Sequence, residues 1–252
     1  MRNTPVMIFI NKLDREGKAP FELLDELEEE LQIKVRPMVW PIERGHKFKG
    51  TYNMHTRQLN LYKQGKTNCT EYVDLEDISS PELDKYIPKE LTGTLRDELE
   101  LIEGVYPDLD KEEYLKGKIA PVFFGTALYN FGVQELLDYF IETAPYPRPV
   151  DAVERTVKPD EEDFTGFIFK IHANMDPNHR SCIAFVKVCS GKFERNVNYK
   201  HVRLNRQMKF SSPTAFMAQK KETVDEAFAG DIVGLPDTGN FKIGDTLTVK
   251  ED

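Results

Sequence analysis

One short stretch divides this chain into two parts that must fold by different rules. Ala144-Pro145-Tyr146-Pro147-Arg148-Pro149 carries three prolines in five residues. Each proline fixes φ and removes an amide donor, so the stretch reads as a stiff, extended linker. The predicted domains are residues 1–147, mixed α and β, and residues 148–252, all β.

The first part opens on a short unbroken apolar run, Pro5-Val6-Met7-Ile8-Phe9-Ile10. Such a run suits a strand buried on both faces of a parallel sheet. Pro20 then precedes a segment with Phe21, Leu24, Leu27 and Leu31 at helical spacing and acids on the opposite face. Proline fits the first turn of a helix, so strand, loop and helix make half of a βαβ unit. From about 34 to 118 the pattern changes, and this stretch reads as an α+β segment inserted into the sheet domain. Val35, Met38, Val39, Trp40 and Ile42 suggest extended chain interrupted by Pro37 and Pro41. Phe48 to Met54 and Gln58 to Tyr62 read as a hairpin; Thr94 to Ile102 and Lys111 to Leu115 read as acidic helices. Ala120 to Phe124 is a second buried strand. Val133 to Ile141 is an amphipathic helix with Val133, Leu136, Leu137 and Phe140 on its apolar side.

Beyond the linker the predicted strands are 164–171, 183–188, 197–203, 214–217, 232–235 and 246–249. Turns such as Asp176-Pro177-Asn178, Ser190-Gly191-Lys192 and Pro236-Asp237-Thr238-Gly239 separate them. Regular short strands with such turns predict a small closed barrel.

No apolar run approaches the roughly 20 residues that span a membrane, and no secretory pattern opens the sequence. Cys69, Cys182 and Cys189 lie at unrelated spacings, which fits reduced thiols in a cytoplasmic protein. No CxxC or HxxxH pattern points to a metal site. His46, His55, His172, His179 and His201 are scattered, Trp40 reads as core, and the acids from Glu26 to Glu30 read as a solvated helix face. The net charge of −9 argues against binding driven by general attraction to nucleic-acid phosphates, and no DNA partner is expected. The imbalance sits in residues 1–150, with 27 acids and 19 bases, against 16 acids and 15 bases in 151–252. Either this asymmetry only keeps the first part soluble, or it places any RNA-facing surface on the second part, with Arg180, Lys187, Arg203, Arg206 and Lys209 as candidates.

Asn11-Lys12-Leu13-Asp14 follows the first strand directly, where open α/β sheets bind ligands. Guanine offers N1–H and N2–H₂ as adjacent donors, and one carboxylate, Asp14, can accept both in a charge-assisted pair. Adenine has no donor at either place and would leave that carboxylate unpaired. Sites built so discriminate by about 10⁴-fold or more. The Lys12 stem can cover the purine face, and the Asn11 amide can bond both the base edge and a neighbouring loop. Alone, such a string is commonly a solvated turn. Here Gly125-Thr126-Ala127-Leu128 follows the second buried strand in the same way. A loop of small residues lets a backbone N–H, that of Ala127, come close to guanine O6.

No phosphate-cradling G-x-x-x-x-G-K-[ST] loop occurs. Gly65-Lys66-Thr67 carries its last three letters, but position 60 is Asn. Asp14-Arg15-Glu16-Gly17 and Asp231-Ile232-Val233-Gly234 match an Asp-x-x-Gly switch by letter only. The groups that hold and attack a γ-phosphate are therefore missing from this sequence.

With these residues placed, the chain resembles the translational GTPases, and among them the bacterial peptide chain release factor 3 family. The likeness runs over nearly the whole length. It rests on Phe9 to Arg15, Trp40-Pro41-Ile42 with Phe48-Lys49-Gly50, Leu95 to Leu101, Pro121 to Leu128 and Asn130 to Val133. Phe164 to Phe167, Ala173 to Pro177 and Ile243 to Thr246 complete it. The segment from Trp40 to Gly50 favours this family over the similar elongation factor G.

The resemblance implies part of a P-loop GTPase G domain followed by a translation-factor barrel, domain II. It implies a cytoplasmic factor, not a membrane one, that uses GTP on the ribosome to drive class I release factors off. Domain II would meet small-subunit rRNA. Asn11, Lys12 and Asp14 would read the guanine of GTP or GDP, with Thr126, Ala127 and Leu128 closing over it. Mg²⁺ serves the full-length family, with ligands outside this sequence. The phosphate loop, both switches and the last domain are expected to lie beyond it, with Met1 an internal methionine, so the chain alone is expected to hydrolyse no GTP. Exposed apolar flanks on strand Val6–Ile10, and hence aggregation or a complementing partner, are also expected. The alternatives are an elongation factor G-like GTPase and a non-catalytic ribosome-binding module.

Overall fold

A computed structural model describes residues 4–62, 71–75, 77–172, 182–217 and 220–249. Gly65-Lys66-Thr67, Cys69, Ala173 to Pro177, the turn at Asp176-Pro177-Asn178, His179 and Arg180 lie outside the described residues. The chain forms two compact units, Met1–Ala144 and Pro145–Asp252. No helix among the described residues is long and apolar enough to cross a membrane.

The first unit contains β1 (Ile8–Ile10), α1 (Pro20–Leu31), β2 (Lys34–Pro37), β3 (Val39–Ile42), β4 (Gly50–Asn53), β5 (Gln58–Leu61) and β6 (Glu71–Asp74). It continues with α2 (Lys89–Val105), α3 (Lys111–Leu115), β7 (Ile119–Phe124) and α4 (Val133–Thr143). Its main sheet is parallel, in the order β1-β7-β2. All six residues of the central strand, Ile-Ala-Pro-Val-Phe-Phe, are buried, which is why this run carries no polar alternation. Pro20 opens α1 with φ already set for the helix, and Gln32 closes it in the left-handed region at φ 54°.

Lys34–Pro37, expected inside the inserted segment, instead adds to the main sheet as an edge strand beside β7. From sequence, Pro37 and Pro41 interrupt the extended chain. Both stand in strands that have a partner on one side only, β2 against β7 and β3 against β4, where a missing N–H need not break a ladder. The chain crosses between sheets at Met38, whose N–H donates to Val122 O while its own carbonyl accepts Met54 N–H. The inserted sheet is an antiparallel meander, β3-β4-β5-β6. Trp40 is fully buried where the two sheets and helices converge. Its ring meets Phe21 at 4.7 Å and Phe124 at 5.4 Å, and its indole N–H donates to Glu98 at 2.7 Å.

Helix α4 is turned away from the orientation its apolar residues predict. Glu135, Tyr139 and Thr143 are buried, whereas Leu137, Phe140 and Ile141 are exposed; of the expected face, Leu136 packs inward. The reason is polar. The Glu135 carboxylate accepts hydrogen bonds from Asn60 and from the Tyr62 hydroxyl, and Tyr139 packs on Phe123 and His55. A satisfied buried carboxylate can outweigh three apolar side chains left at the surface, whose exposure is common in folded proteins.

The second unit begins with a small hairpin, β8 (Val150–Asp151) and β9 (Thr156–Val157). Then follow β10 (Thr165–His172), β11 (Cys182–Ser190), β12 (Lys192–Glu194), β13 (Asn198–His201), β14 (Arg206–Lys209) and β15 (Thr214–Met217). The last four are β16 (Lys220–Thr223), β17 (Glu226–Phe228), β18 (Ile232–Asp237) and β19 (Thr246–Thr248). Eight of these strands make one antiparallel sheet, β14-β13-β19-β10-β11-β18-β15-β16, and β12 pairs with β17. Both sheets feed one core, with Phe164, Ile168, Val186, Phe193, Tyr199, Val233 and Leu247 at its centre. This is the barrel-like β unit that the turn spacing predicts. Gly191, at φ +60°, makes the tight corner from β11 to β12, where a Cβ would run into the Asp163–Phe164 backbone.

A buried ionic cluster stands among the described residues of the barrel. Asp245 accepts from Arg203 Nε at 2.6 Å, Arg203 Nη2 at 2.7 Å and Lys242 N–H at 2.7 Å, and it faces His201 Nε2 at 3.0 Å. Arg203, a candidate RNA contact by sequence, is thus tied into the fold. The Arg203 guanidinium holds the Asp245 carboxyl down to about 2. A depressed carboxyl stabilises the fold above its unfolded value and loses that stabilisation as pH falls. The barrel's melting temperature should therefore drop between pH 3.8 and about 2, and Asp245→Asn should flatten that part of the curve. Thermal melts of both proteins across this range check it; parallel curves would remove Asp245 as the cause.

Candidate nucleotide-binding site

The two loops singled out by sequence meet edge to edge at the carboxyl ends of neighbouring strands β1 and β7. Strand pairing brings them there, since Ile10 lies opposite Phe124. Backbone bonds extend the ladder, Gly125 N–H to Ile10 O at 3.0 Å and Leu13 N–H to Gly125 O at 3.1 Å. Side chains then fasten loop to loop. Thr126 Oγ1 donates to Asp14 Oδ1 at 2.7 Å, across 112 residues of sequence. Asn11 Oδ1 accepts from Ala127 N–H at 2.9 Å and from Lys12 N–H at 2.8 Å.

Lys12 sits at φ 71°, in the left-handed region that costs a non-glycine residue about 1 kcal/mol. The Asn11 bond and a turn from Arg15 N–H to Lys12 O at 3.0 Å hold it there. Strain of this kind collects where side chains must be aimed. Leu13 anchors the loop in the core, and Thr126 is buried. Asp14 is half-buried, and Asn11, Lys12, Ala127 and Leu128 are exposed, Leu128 at 70%. The surface thus offers a fixed carboxylate, an amide, a lysine stem and an uncovered leucine side by side.

Two details depart from the sequence reading. The Ala127 N–H, expected to be free for a base, already donates to Asn11, so any ligand atom there would share or replace that bond. The small residue at 125 serves the loop itself. A Cβ on Gly125 would overlap the Phe131 carbonyl oxygen and press on the Phe9 ring. Thr126 and Phe131 exchange backbone bonds of 2.9 and 3.1 Å, closing the loop at its base, and Gly132 turns the chain at φ +74°.

Residues the sequence reading did not single out also touch the site. Gly45 N–H donates to Leu13 O at 2.8 Å, tying the inserted segment to the first loop. A hollow of about 280 Å³ lies beside Asn11, Lys12 and Leu13 on the α1 side, walled also by Arg15, Lys18 and Arg44. Thr126, Ala127 and Leu128 do not line it. Arg44 Nη1 is buried without a hydrogen-bond partner among the described residues. No group of three or more His, Cys, Asp or Glu that could hold a metal ion occurs among the described residues.

Comparison with known proteins gives the fold its relatives. Residues 163–250 match the family profile described as elongation factor G domain 2. A crystal structure from Thermus thermophilus aligns with TM-score 0.65 and 21% identity, over 98% of this chain and 36% of that one. At that identity the likeness speaks for the fold, and this chain spans about a third of the length of the other. Residues 1–146, more than half of the chain, match the profile described as elongation factor Tu GTP binding domain. The chain belongs to the translational GTPase family, with a match to a GTP-binding domain followed by a β-rich second domain.

Proposed function

We propose that the Asn11–Asp14 and Thr126–Leu128 loops read the guanine base of GTP or GDP. The observation that carries this reading is the Thr126–Asp14 bond. It fixes one carboxylate oxygen and leaves Asp14 able to face the two adjacent donors of guanine. Asn11, held by Ala127 N–H, presents its amide to the base edge, the Lys12 stem covers one purine face, and Leu128 supplies apolar contact at the rim. The base lies across the outer edge of the two loops.

At the level of the whole factor, we propose a cytoplasmic, ribosome-bound GTPase of the release factor 3 kind that removes class I release factors. The segment from Trp40 to Gly50 supports this assignment, and the barrel is the surface offered to small-subunit rRNA. The elongation factor G-like reading draws on the profile matched by residues 163–250. Excess chain added to a translating extract should slow turnover of class I release factors and leave translocation unchanged. The opposite pattern favours the elongation factor G-like reading.

Calorimetric titration tests the base reading. The chain should give measurable heat with GDP at millimolar concentration and none with ADP. Equal binding of the two nucleotides would contradict recognition through Asp14, and no GDP heat would leave the barrel as the working part of a non-catalytic ribosome-binding module.

A further inference from the structure

The inserted sheet reaches into the nucleotide loops through a row of aromatic rings. Phe131 closes the base of the second loop and is buried. Its ring stacks on Tyr62 with centroids 4.0 Å apart and planes 20° from parallel. Tyr62 in turn stacks on Phe48 at 5.6 Å. Phe48 follows the turn at Gly45, whose N–H holds Leu13 of the first loop, and Phe48 N–H donates to Gly45 O at 3.2 Å. One continuous row of contacts therefore touches both loops from behind.

The Tyr62 hydroxyl is fixed as well as its ring. It donates to the buried Glu135 carboxylate at 3.3 Å and accepts from Gly132 N–H at 3.3 Å. Asn60, two residues earlier near the end of β5, donates to the same carboxylate oxygen. Tyr62 N–H is held by Lys49 O at 3.0 Å. A ring locked at backbone, face and hydroxyl is a rigid stop, and the loop segment from Thr126 to Gly132 rests against it.

We propose that Tyr62, backed by Phe48, is a positioning residue for base recognition, acting through Phe131 to set where Thr126 and Ala127 stand relative to Asp14 and Asn11. This rests on the guanine reading above, and it makes the inserted sheet a working part of that site. Removing the ring frees Phe131 and lets the loop drift from its bonds to the first loop. Drift there loosens Asp14 and Asn11 together, because each is held by one atom of the second loop.

The test compares the full chain with Tyr62→Ala and Tyr62→Phe by two readouts. Amide hydrogen exchange at Ala127 and Phe131 needs no nucleotide. It should rise about tenfold in Tyr62→Ala, the size of one well-stacked aromatic pair, while Val122 and Phe123 in β7 stay unchanged. GDP affinity should fall about tenfold in the same variant. Tyr62→Phe keeps the stack and loses only the hydroxyl bonds, so its GDP affinity should stay within about threefold. If the parent chain binds no GDP, the base reading fails and the role in base recognition falls with it, while the exchange data separately decide whether Tyr62 holds the Thr126–Gly132 loop in place. Unchanged exchange at Ala127 and Phe131 in Tyr62→Ala would overturn it, as would an equal rise in β7, which marks general loosening.

Discussion

Trp40→Ala should destabilise the first unit by about 4 kcal/mol, a large share of the total for a marginally stable unit. Three losses combine in this residue. A fully buried indole leaves a cavity between the two sheets. Phe21 and Phe124 each lose a ring partner. The Glu98 carboxyl loses the indole N–H that satisfies it in a setting where burial already pushes its pKa up. Trp40 is also the one tryptophan of the sequence, so its emission follows the first unit alone in the parent protein. The variant is followed by circular dichroism during urea unfolding, with the barrel transition as internal reference. A loss below about 1 kcal/mol would mean that the joint between sheets repacks freely.

Asp14→Asn should exchange one nucleotide for another. The asparagine Oδ1 keeps the Thr126 bond and still accepts guanine N1–H, but its NH₂ now meets guanine N2–H₂, donor against donor. Loss of a charge-assisted pair together with that conflict should weaken GDP by on the order of 10²-fold. Xanthine carries a carbonyl where guanine carries the amino group, so xanthosine diphosphate should bind the variant better than GDP does. Competition calorimetry with both nucleotides reads the inversion. A variant that loses GDP without gaining the xanthine nucleotide would place Asp14 in the scaffold, away from the base edge.

Much of this architecture was legible in sequence where the signal was local. The unbroken run ending at Phe124 read as a buried strand because a parallel strand covered on both faces needs no polar positions. The run ending at Ile10 is a strand too, but it is only half-buried, because it stands at the sheet edge with β7 as its one partner among the described residues. The β character beyond the linker was legible from turn spacing. Strands β12, β14, β16 and β17 were not, being three or four residues long and, β17 apart, mostly polar. Lys192–Glu194 becomes a strand only because Glu226–Phe228 lies beside it. Helix α4 misled for a related reason, since its inward face is chosen by Asn60 and Tyr62, residues that no helical periodicity can reveal. In the candidate site, the residue types of the two loops carried a chemical pattern. The rings that brace them did not, because Tyr62 and Phe131 stand far apart in sequence and look like ordinary core.

The sequence separation of 112 between Asp14 and Thr126 bears on how freely this family can vary in length. For a flexible loop, each doubling of the intervening chain adds only about 0.6 kcal/mol to the entropy of closure. The meander carried on that span is therefore nearly neutral as a length of polymer. Its size is constrained by the few rings and amides that grip the loops, so growth or shrinkage at its far edge, beyond β5, leaves the cost of bringing the loops together almost untouched.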